Sequence, residues 1–473
     1  MRYSLLEKPW IPVLWTDGKF SKVGILEALT QAGHIRQIAA SNPMDRVAIF
    51  RFLLALLYWC RGNLPTTTDT ASEESFPIDW FSKLDADKEC FNLLGGGKRF
   101  YQYREQGDKP LTVNYLIHEI PSGTNFNHFR HSIDGANGLC PACCALGLLR
   151  LPMFSTQGGQ GKSPGINAKP PIYVIPVGET LAETLRLSWQ PVSNLGTPAW
   201  EKPDVQLPGT SEVPLLTGLT WLPRRVWLSQ PQESESLTHC ISCGRLGNVI
   251  ISSVFAGKGS AKTDEGTKRV WHDPHVIYEQ TKKGEFSLHS ADVVGSADAA
   301  AGHWARTMTG LLQNPRTERS RAWVVGFSSD QNKYFEASEL FLPWPVSPAT
   351  VEKLSQWQQS NYNLNRKLKQ LDEKPSRKPR KHIEINTMLA TIRPHVESKV
   401  SAKAEELLSG GNTAWEHAAG EYRPMMQMIA RSLAPGVTTA AVERRRKIGN
   451  VLPQMGQTPT EARKPERRKR GSK

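Results

Sequence analysis

Cys140-Pro141-Ala142-Cys143 and Cys240-Ile241-Ser242-Cys243 are the two stretches that decide how this chain folds, because they tie distant segments to one point. Each Cys-x-x-Cys pair presents two thiols from one tight turn, and 96 residues lie between the pairs. Two such turns brought together form a tetrahedral four-sulfur site, which Zn²⁺ accepts without strain. We therefore predict a structural zinc ion bound by Cys140, Cys143, Cys240 and Cys243.

Two other interpretations of these four cysteines are disulfides and buried thiols that pack as small apolar groups. The chain shows no secretory signal, so we expect a reducing, cytoplasmic compartment, in which disulfides are rare. A single pair would also fit a redox motif, but two pairs use four of the seven cysteines. A catalytic zinc keeps an open coordination position, whereas four thiolates close the site. The predicted metal is therefore structural.

The most apolar run of the chain, from Val47 to Cys60, contains Arg51 and is shorter than the roughly 20 residues that a membrane-spanning helix needs. Asn42 is a candidate N-cap, and Pro43 suits the first helical turn. The run therefore predicts a buried core helix, and we expect no contact with a membrane.

The order of the predicted elements indicates an α+β fold with two domains and a tail. Strand and helix signals alternate up to about residue 348, which gives a large mixed N-terminal domain, residues 1–348, that contains the zinc site. Four of these signals are specific enough to check: a hairpin turn at Asp17-Gly18, a short helix over residues 144–151, one strand over residues 249–255, and two strands, over residues 323–327 and 335–342, joined by a polar loop. Three prolines crowd into residues 343–348. Apolar residues then recur at helical spacing and predict a C-terminal four-helix bundle over residues 349–462. Residues 463–473 form a basic tail that we expect to be disordered.

The net charge of +14 is concentrated in the C-terminal quarter of the chain. Residues 366–381 and 463–473 each carry a net charge of +6, which leaves little for the remainder. Such runs are most often solvated, and the alternative is salt-dependent contact with phosphates. The high charge alone does not make the large N-terminal region a nucleic-acid binder.

Two short motifs suggest catalysis only weakly. Gly161-Lys162-Ser163 resembles the end of a P-loop, but position 156, where that motif needs Gly, is Thr. A glycine-rich loop nevertheless lets backbone approach another polymer closely. The stretch from Trp271 to His275 hints at a metal or acid–base site, although a structural turn is the commoner outcome. We predict that the chain is not an enzyme.

The order of several short motifs resembles the CasA family, the large subunit of the type I-E CRISPR surveillance complex, Cascade. The chain opens with Leu5-Leu6-Glu7-Lys8-Pro9-Trp10-Ile11-Pro12-Val13, followed by Ser122-Gly123-Thr124-Asn125 and then Phe129. Next come, in this order, the first Cys pair, a glycine loop with Gly158, Gly159 and Gly161, the stretch Gly218-Leu219-Thr220-Trp221-Leu222-Pro223, the second Cys pair and Trp271-x-x-Pro274-His275. The similarity covers nearly the whole length, and its specificity lies in the order and spacing of the motifs.

The resemblance implies a non-catalytic subunit that reads the short PAM in double-stranded DNA through the minor groove and starts duplex unwinding. The guide RNA then reads the remaining sequence by base pairing. The implied partners are CRISPR RNA, double-stranded target DNA, the backbone, small and 5′-handle-binding subunits of Cascade, and the helicase-nuclease that the complex recruits. The implied biological role is antiviral defence.

The same resemblance assigns the implied DNA contacts. Gln331 matches a glutamine wedge that enters the duplex below the PAM, with Asp330 and Asn332 beside it. Asp330 stands where the family has Asn, and an acid faces phosphates badly. Two further sets match loops at the PAM minor groove: the glycine loop with Gly158, Gly159 and Gly161, and the lysine loop with Lys258 and, as the runner-up, Lys262.

A further loop is implied to anchor the subunit to the 5′ end of the guide RNA and to neighbouring subunits. It contains Asn125, Phe129, Arg130 and His131, and its aromatic and basic side chains suit stacking on an extruded base.

Two other classes of function compete with this assignment. A zinc-stabilised RNA-binding scaffold would use the basic tail as its main contact and would not read a PAM. A metalloenzyme would show nuclease or deaminase activity in the isolated chain, which we do not expect.

Overall fold

The computed structural model of the chain describes most of its first 342 residues, and every structural statement below concerns these described residues. They are residues 2–63, 75–117, 138–155, 165–167, 173–189, 191–204, 212–259, 271, 273–276, 278–280, 286–288, 321–330 and 333–342.

Helices and strands are interspersed along the described chain, which confirms the predicted mixture of the two. The helices are α1 (Ile25–Thr30), α2 (Pro43–Arg61), α3 (Ser82–Ala86), α4 (Pro141–Phe154), α5 (Leu181–Ser188) and α6 (Leu215–Thr220). The strands are β1 (Tyr3–Ser4), β2 (Ile11–Trp15), β3 (Phe20–Val23), β4 (Ile35–Ile38), β5 (Asn92–Leu94), β6 (Lys109–Thr112), β7 (Tyr173–Val177), β8 (Arg224–Leu228), β9 (Gln232–His239), β10 (Leu246–Ile250), β11 (Ser253–Lys258), β12 (Tyr278–Gln280), β13 (Phe286–Leu288), β14 (Arg321–Asp330) and β15 (Lys333–Leu342). Short 3-10 turns lie at Ile78–Phe81, Lys88–Phe91 and Val113–Leu116.

The strands form several small sheets. Three sheets have three strands each, in the orders β3-β2-β4, β6-β11-β8 and β15-β14-β7, and the pairs β1-β5, β9-β10 and β12-β13 stand as two-stranded sheets. The predicted hairpin at Asp17-Gly18 is present between β2 and β3. Gly18 has a φ of +87°, which is the left-handed backbone that glycine adopts at little cost.

Helix α2 is the centre of the hydrophobic core. Asn42 caps its start by accepting a hydrogen bond from the backbone N–H of Met44 (2.8 Å), with Pro43 in the first turn, as predicted. Gly62 ends the helix with a φ of +73° and donates its N–H to the carbonyl of Tyr58. From Val47 to Trp59 every residue is buried, so the charged Arg51 lies inside the core.

The opening motif, Leu5 to Val13, is also a core segment. Leu5 and Trp10 are fully buried, and the indole N–H of Trp10 donates to the carbonyl of Leu5 (3.0 Å). The Trp10 ring packs at an angle against Phe52 of α2 and against Phe100. This contact holds the first sheet against the central helix.

Two predicted elements differ from the structure. The single strand expected over Val249–Phe255 is split between β10 and β11, because the chain passes there from one sheet to another. At the break, Ile251 exchanges backbone hydrogen bonds with Leu139, and Ser252 accepts one from Val113. The short helix expected over Cys144–Leu151 is the longer α4, because the first Cys pair itself forms its first turn.

The predicted four-helix bundle, the two basic segments and the tail lie outside the described residues. The domain boundaries therefore remain a prediction. Among the helices described, none combines the length and the apolar character that crossing a membrane would require.

Candidate metal centre and nucleic-acid interface

The four predicted zinc ligands converge in the structure. The sulfur atoms of Cys140, Cys143, Cys240 and Cys243 all lie within 4.8 Å of one another, and those of Cys140 and Cys243 are 3.9 Å apart. Four sulfurs placed about 2.3 Å from a tetrahedral zinc ion lie roughly 3.8 Å from each other. The cluster thus has the size that this ion needs, and it draws two ligands from each of two distant turns.

The start of helix α4 positions the first pair. Cys140 is the N-cap, Pro141 occupies the first helical position, and Cys143 lies in the first turn. The Cys140 backbone N–H donates to the Cys240 sulfur (3.3 Å). The positive end of the helix dipole lies beside these sulfurs and makes negative charge on them less costly.

The turn between β9 and β10 positions the second pair. The Cys240 N–H donates a hydrogen bond to the carbonyl of Arg245, and the N–H of Gly244 donates one to the carbonyl of Cys240. Gly244 has a φ of +68°, so a residue without a Cβ lets the chain reverse directly after Cys243. The turn is therefore closed by its own backbone, and both sulfurs face the start of α4.

Backbone pairing next to the cluster joins the two segments. Leu139 and Ile251 form a bridge with two hydrogen bonds of 2.8 and 2.9 Å, and the Ile241 N–H donates to the carbonyl of Gly138 (3.1 Å). A Cβ on Gly138 would lie 2.2 Å from the Ile251 carbonyl oxygen. Only glycine permits this approach, so the two turns meet through backbone as well as through sulfur.

The protonation of the cluster fits a divalent cation. Hydrogen bonds from Cys140 and Cys143 lower the pKa of the Cys240 thiol. Hydrogen bonding to Cys140 and Cys240, followed by burial, raises the pKa of Cys143. Ionising more than one of these neighbouring thiols would place like charges together. A Zn²⁺ ion would remove that repulsion, and the four residues fit it.

The other three cysteines are not part of the four-sulfur cluster. Cys144 is fully buried, and its sulfur lies 4.0 Å from the carbonyl of Leu139. Cys90 is also buried. Burial raises the pKa of the half-buried Cys60 to about 12, so this thiol stays protonated at neutral pH.

The glycine loop itself lies outside the described residues, but both of its ends are visible. Ser155 follows α4, and its carbonyl accepts the N–H of Gly165 (2.8 Å). A Cβ on Gly165 would lie 2.8 Å from the carbonyl oxygen of Met153. Ser155 and Gly165, the residues that flank the loop, therefore lie together at the last turn of α4.

Of the two predicted lysines, Lys258 is described and Lys262 is not. Lys258 is the exposed last residue of β11, opposite Arg224 of β8. The residue before it, Gly257, lies under the ion pair of Arg225 and Asp108 (2.8 Å), where a Cβ would be 1.9 Å from the Asp108 carboxylate. The ion pair of Arg225 and Asp108 can lie across the strand at this point only because Gly257 has no side chain.

Strands β14 and β15 confirm the predicted pair on either side of residues 331–332. β14 pairs with β7 in the register Arg321↔Val177 to Val325↔Tyr173. Five residues of β14 continue beyond Tyr173, which is roughly 17 Å at 3.4 Å per residue. Asp330 is the last of them, so this end of β14 projects past the start of β7.

A buried ionic network that the sequence did not reveal lies at the start of β7. The Arg51 guanidinium donates twice to the Asp273 carboxylate (2.5 and 2.7 Å) and lies 4.8 Å from the centre of the Tyr173 ring. Asp273 also accepts from the side chain of Asn167 (3.1 Å) and from the backbone of His275 (3.0 Å). The stretch from Trp271 to His275 is thus a structural connection to α2. One available signal was Arg51 itself, a charge inside the most apolar run.

The charge states in this network follow from burial. Burial alone would raise the pKa of Asp273, but the Arg51 charge more than offsets it and holds this pKa below its usual value. Burial, reinforced by Arg51, lowers the pKa of His275 to about 3. His275 Nδ1 lies 3.1 Å from the Arg51 guanidinium, which can only donate. The imidazole is therefore neutral, with its proton on Nε2.

The other predicted contact residues lie outside the described part of the chain. They are the wedge residues Gln331 and Asn332, the loop residues Gly158, Gly159, Gly161 and Lys262, and the anchoring residues Asn125, Phe129, Arg130 and His131. Their roles remain predictions.

A sequence model of the family described as CRISPR-associated protein Cse1 matches residues 4–444. The chain belongs to this family. A curated relative, CRISPR-associated protein CasA/Cse1 of Thermus thermophilus, is 28% identical over 225 residues. That alignment covers 44% of this chain and 43% of the relative, so it spans less than half of either protein.

Solved structures support the Cse1 fold over a longer stretch. The crystal structure of CasA from Thermus thermophilus has a TM-score of 0.67 at 21% identity, covering 96% of this chain and all of that one. A chain of a CRISPR RNA-guided surveillance complex has a TM-score of 0.63 at 16% identity, covering 95% of this chain and 99% of that one. At these identities the likeness shows the fold. The predicted resemblance to the CasA family is confirmed.

Proposed function

We propose that this chain is the non-catalytic large subunit of an RNA-guided CRISPR surveillance complex. In this proposal it recognises the PAM of double-stranded DNA through the minor groove, starts duplex opening and helps to recruit a helicase-nuclease. Membership of the Cse1 family and the fold shared with a chain of a surveillance complex support it. The structural zinc ion proposed at the four cysteines would hold contact loops in register rather than take part in a reaction.

One structural observation carries the proposal: the described stems of three predicted DNA-contacting segments meet around Tyr173. Asn167, on the return from the glycine loop, bonds Asp273, on the exit from the lysine loop. Val276 forms a bridge with Tyr173, and β14 pairs with Tyr173 before it projects toward residue 331. Separate segments of the chain are thus brought to one end of one sheet, as a composite DNA-binding surface requires.

The chemistry expected of each segment suits duplex opening. Backbone without side chains can approach the minor groove closely, and a lysine there adds attraction to phosphates. Minor-groove readout is degenerate, so the complex would accept several related PAM sequences. Gln331, at the end of a long hairpin, would replace the pairing and stacking lost at the first opened step, which costs a few kcal/mol.

The test uses the assembled complex with Gln331→Ala in this subunit. R-loop formation is measured on linear duplexes with and without a PAM, and on a duplex whose first base pairs beside the PAM are already mismatched. We expect the variant to lose R-loop formation on the paired duplex and to regain it on the pre-opened one. Gln37→Ala, which changes an exposed glutamine on β4, is the matched control and should behave as wild type.

Three results would contradict the proposal. Unchanged R-loop formation by Gln331→Ala on linear paired DNA would show that the wedge is assigned wrongly. A wild-type complex that binds DNA without any PAM preference would favour the RNA-binding scaffold instead. Nuclease or deaminase activity in the isolated chain would overturn the non-catalytic assignment.

A further inference from the structure

The stems of the glycine loop and of the lysine loop share one buried carboxylate, that of Asp273. Its oxygens accept two hydrogen bonds from Arg51, one from the side chain of Asn167 and one from the backbone of His275. An ionised carboxylate offers about four lone-pair sites. The four donors therefore match these sites, and each satisfies a lone pair that water does not reach in the buried interior.

The three side chains of this network come from segments far apart in the sequence. Arg51 sits in the middle of α2 and is fixed by the packing of that helix. Asn167 lies two residues after Gly165, the point at which the glycine loop returns to α4. Asp273 lies two residues after Trp271, whose ring packs so closely on α6 that a Cβ on Gly218 would meet it at 2.1 Å.

We propose that Asn167 is a positioning residue, which joins the stem of the glycine loop to the stem of the lysine loop through Asp273. The stems of both loops are then held against α2 as one unit. Arg51 and Asp273 alone would fix only the lysine-loop stem. The Asn167 side chain adds the connection to the glycine loop, and a hydrogen bond to a charged, buried acceptor is among the stronger kinds.

This inference rests on the proposed function, and its consequence is a selective defect. Asn167→Ala should lower the affinity of the assembled complex for a paired PAM duplex by about tenfold, the size expected for one such hydrogen bond. Binding to a pre-opened duplex, which depends mainly on guide pairing, should remain at the wild-type level. Asn167→Asp, which keeps the shape but removes the donor and adds a second buried charge, should show a larger defect.

The matched control is Thr180→Ala. Thr180 caps α5 by accepting the backbone N–H of Glu183 (3.2 Å), and its loss has a stability cost similar to that of a lost buried hydrogen bond. This control should leave the ratio of the two affinities unchanged. If Asn167→Ala lowered both affinities equally, or left both unchanged, Asn167 would have no positioning role.

Hydrogen exchange of the free subunit provides a measurement that does not depend on DNA. In Asn167→Ala, peptides that contain residues 165–167 and 273–276 should both exchange faster, because each stem loses the same bond. Acceleration of only one stem, or of neither, would refute the connection. A wild-type complex without PAM preference would overturn the proposed function while leaving this exchange result intact.

Discussion

Replacing His275 with asparagine should remove a defined part of the acid sensitivity of this protein. His275 is buried, with Arg51 and Asp273 beside it and the Phe50 ring packed against it at an angle of 63°, the two ring centroids being 5.6 Å apart. Its pKa is lowered to about 3 by burial and by Arg51. The unfolded chain, with an ordinary histidine pKa of about 6.5, therefore binds a proton that the folded chain excludes.

The magnitude follows from proton linkage. Because the folded pKa lies below the unfolded one, the stability contributed by the neutral ring is fully present above about pH 6.5. It is lost as the pH falls from there toward 3. The loss is about 1.4 kcal/mol per pH unit, hence about 2 kcal/mol between pH 7.5 and pH 5. Asparagine places an acceptor oxygen near the Nδ1 position and does not titrate.

The assay is urea unfolding followed by tryptophan fluorescence at about pH 7.5 and about pH 5, for the wild type and His275→Asn. The variant will be less stable at both pH values, because its smaller side chain leaves a cavity. The quantity compared is therefore the drop in the free energy of unfolding from the higher pH to the lower. That drop should be smaller in the variant by about 2 kcal/mol. His34→Asn, at an exposed histidine, should keep the wild-type drop. If His275→Asn kept it as well, the neutral buried ring would not be the source.

Three further outcomes can be measured on the same protein. Cys240→Ser should abolish binding of about one zinc ion per chain and lower the melting temperature, which metal analysis and thermal unfolding would show; an unchanged zinc content would exclude the four-thiolate site. Gly257→Ala should destabilise by about 1–3 kcal/mol in urea unfolding, because its Cβ meets the carboxylate of Asp108. Gly247→Ala, where the Cβ meets nothing within 4 Å, is the control, and equal effects would refute the steric reason. Deleting residues 463–473 should flatten the salt dependence of DNA binding and leave the PAM preference intact, whereas loss of all binding would favour the RNA-binding scaffold.

Local patterns predicted the elements whose cause is local. The apolar run with Asn42 and Pro43 before it became α2 with that cap, and Asp17-Gly18 became a hairpin turn. The contact between the two Cys pairs was also predictable, although they are far apart in the sequence, because four thiol ligands suit the same metal ion and are therefore expected to bind it together. Val249–Phe255 was predicted wrongly as one strand, since nothing in its composition shows that the chain changes sheets at Ile251.

The ionic network could not be predicted, because a buried charge indicates that a partner exists without showing which one. Arg51 and Asp273 are 222 residues apart, and many acids in the chain would have satisfied the same requirement. Asn167 follows a Gly- and Pro-containing stretch that has the composition of a connector. Its role depends on where the glycine loop returns to α4, which is a property of the tertiary fold.

Charged residues of α2 reach each of the segments that lead toward the proposed DNA surface. Besides Arg51, Asp45 pairs with Arg150 of α4 (3.4 Å), and Arg46 pairs with Glu339 of β15. Arg150 lies ten residues after Cys140, about 15 Å along the helix. The proposed zinc ion would therefore fix the start of α4, while α2 holds its far end, from which the glycine loop departs. Metal removal should thus loosen the Cys turns more than the loop stems, because the stems keep their ion pairs to α2.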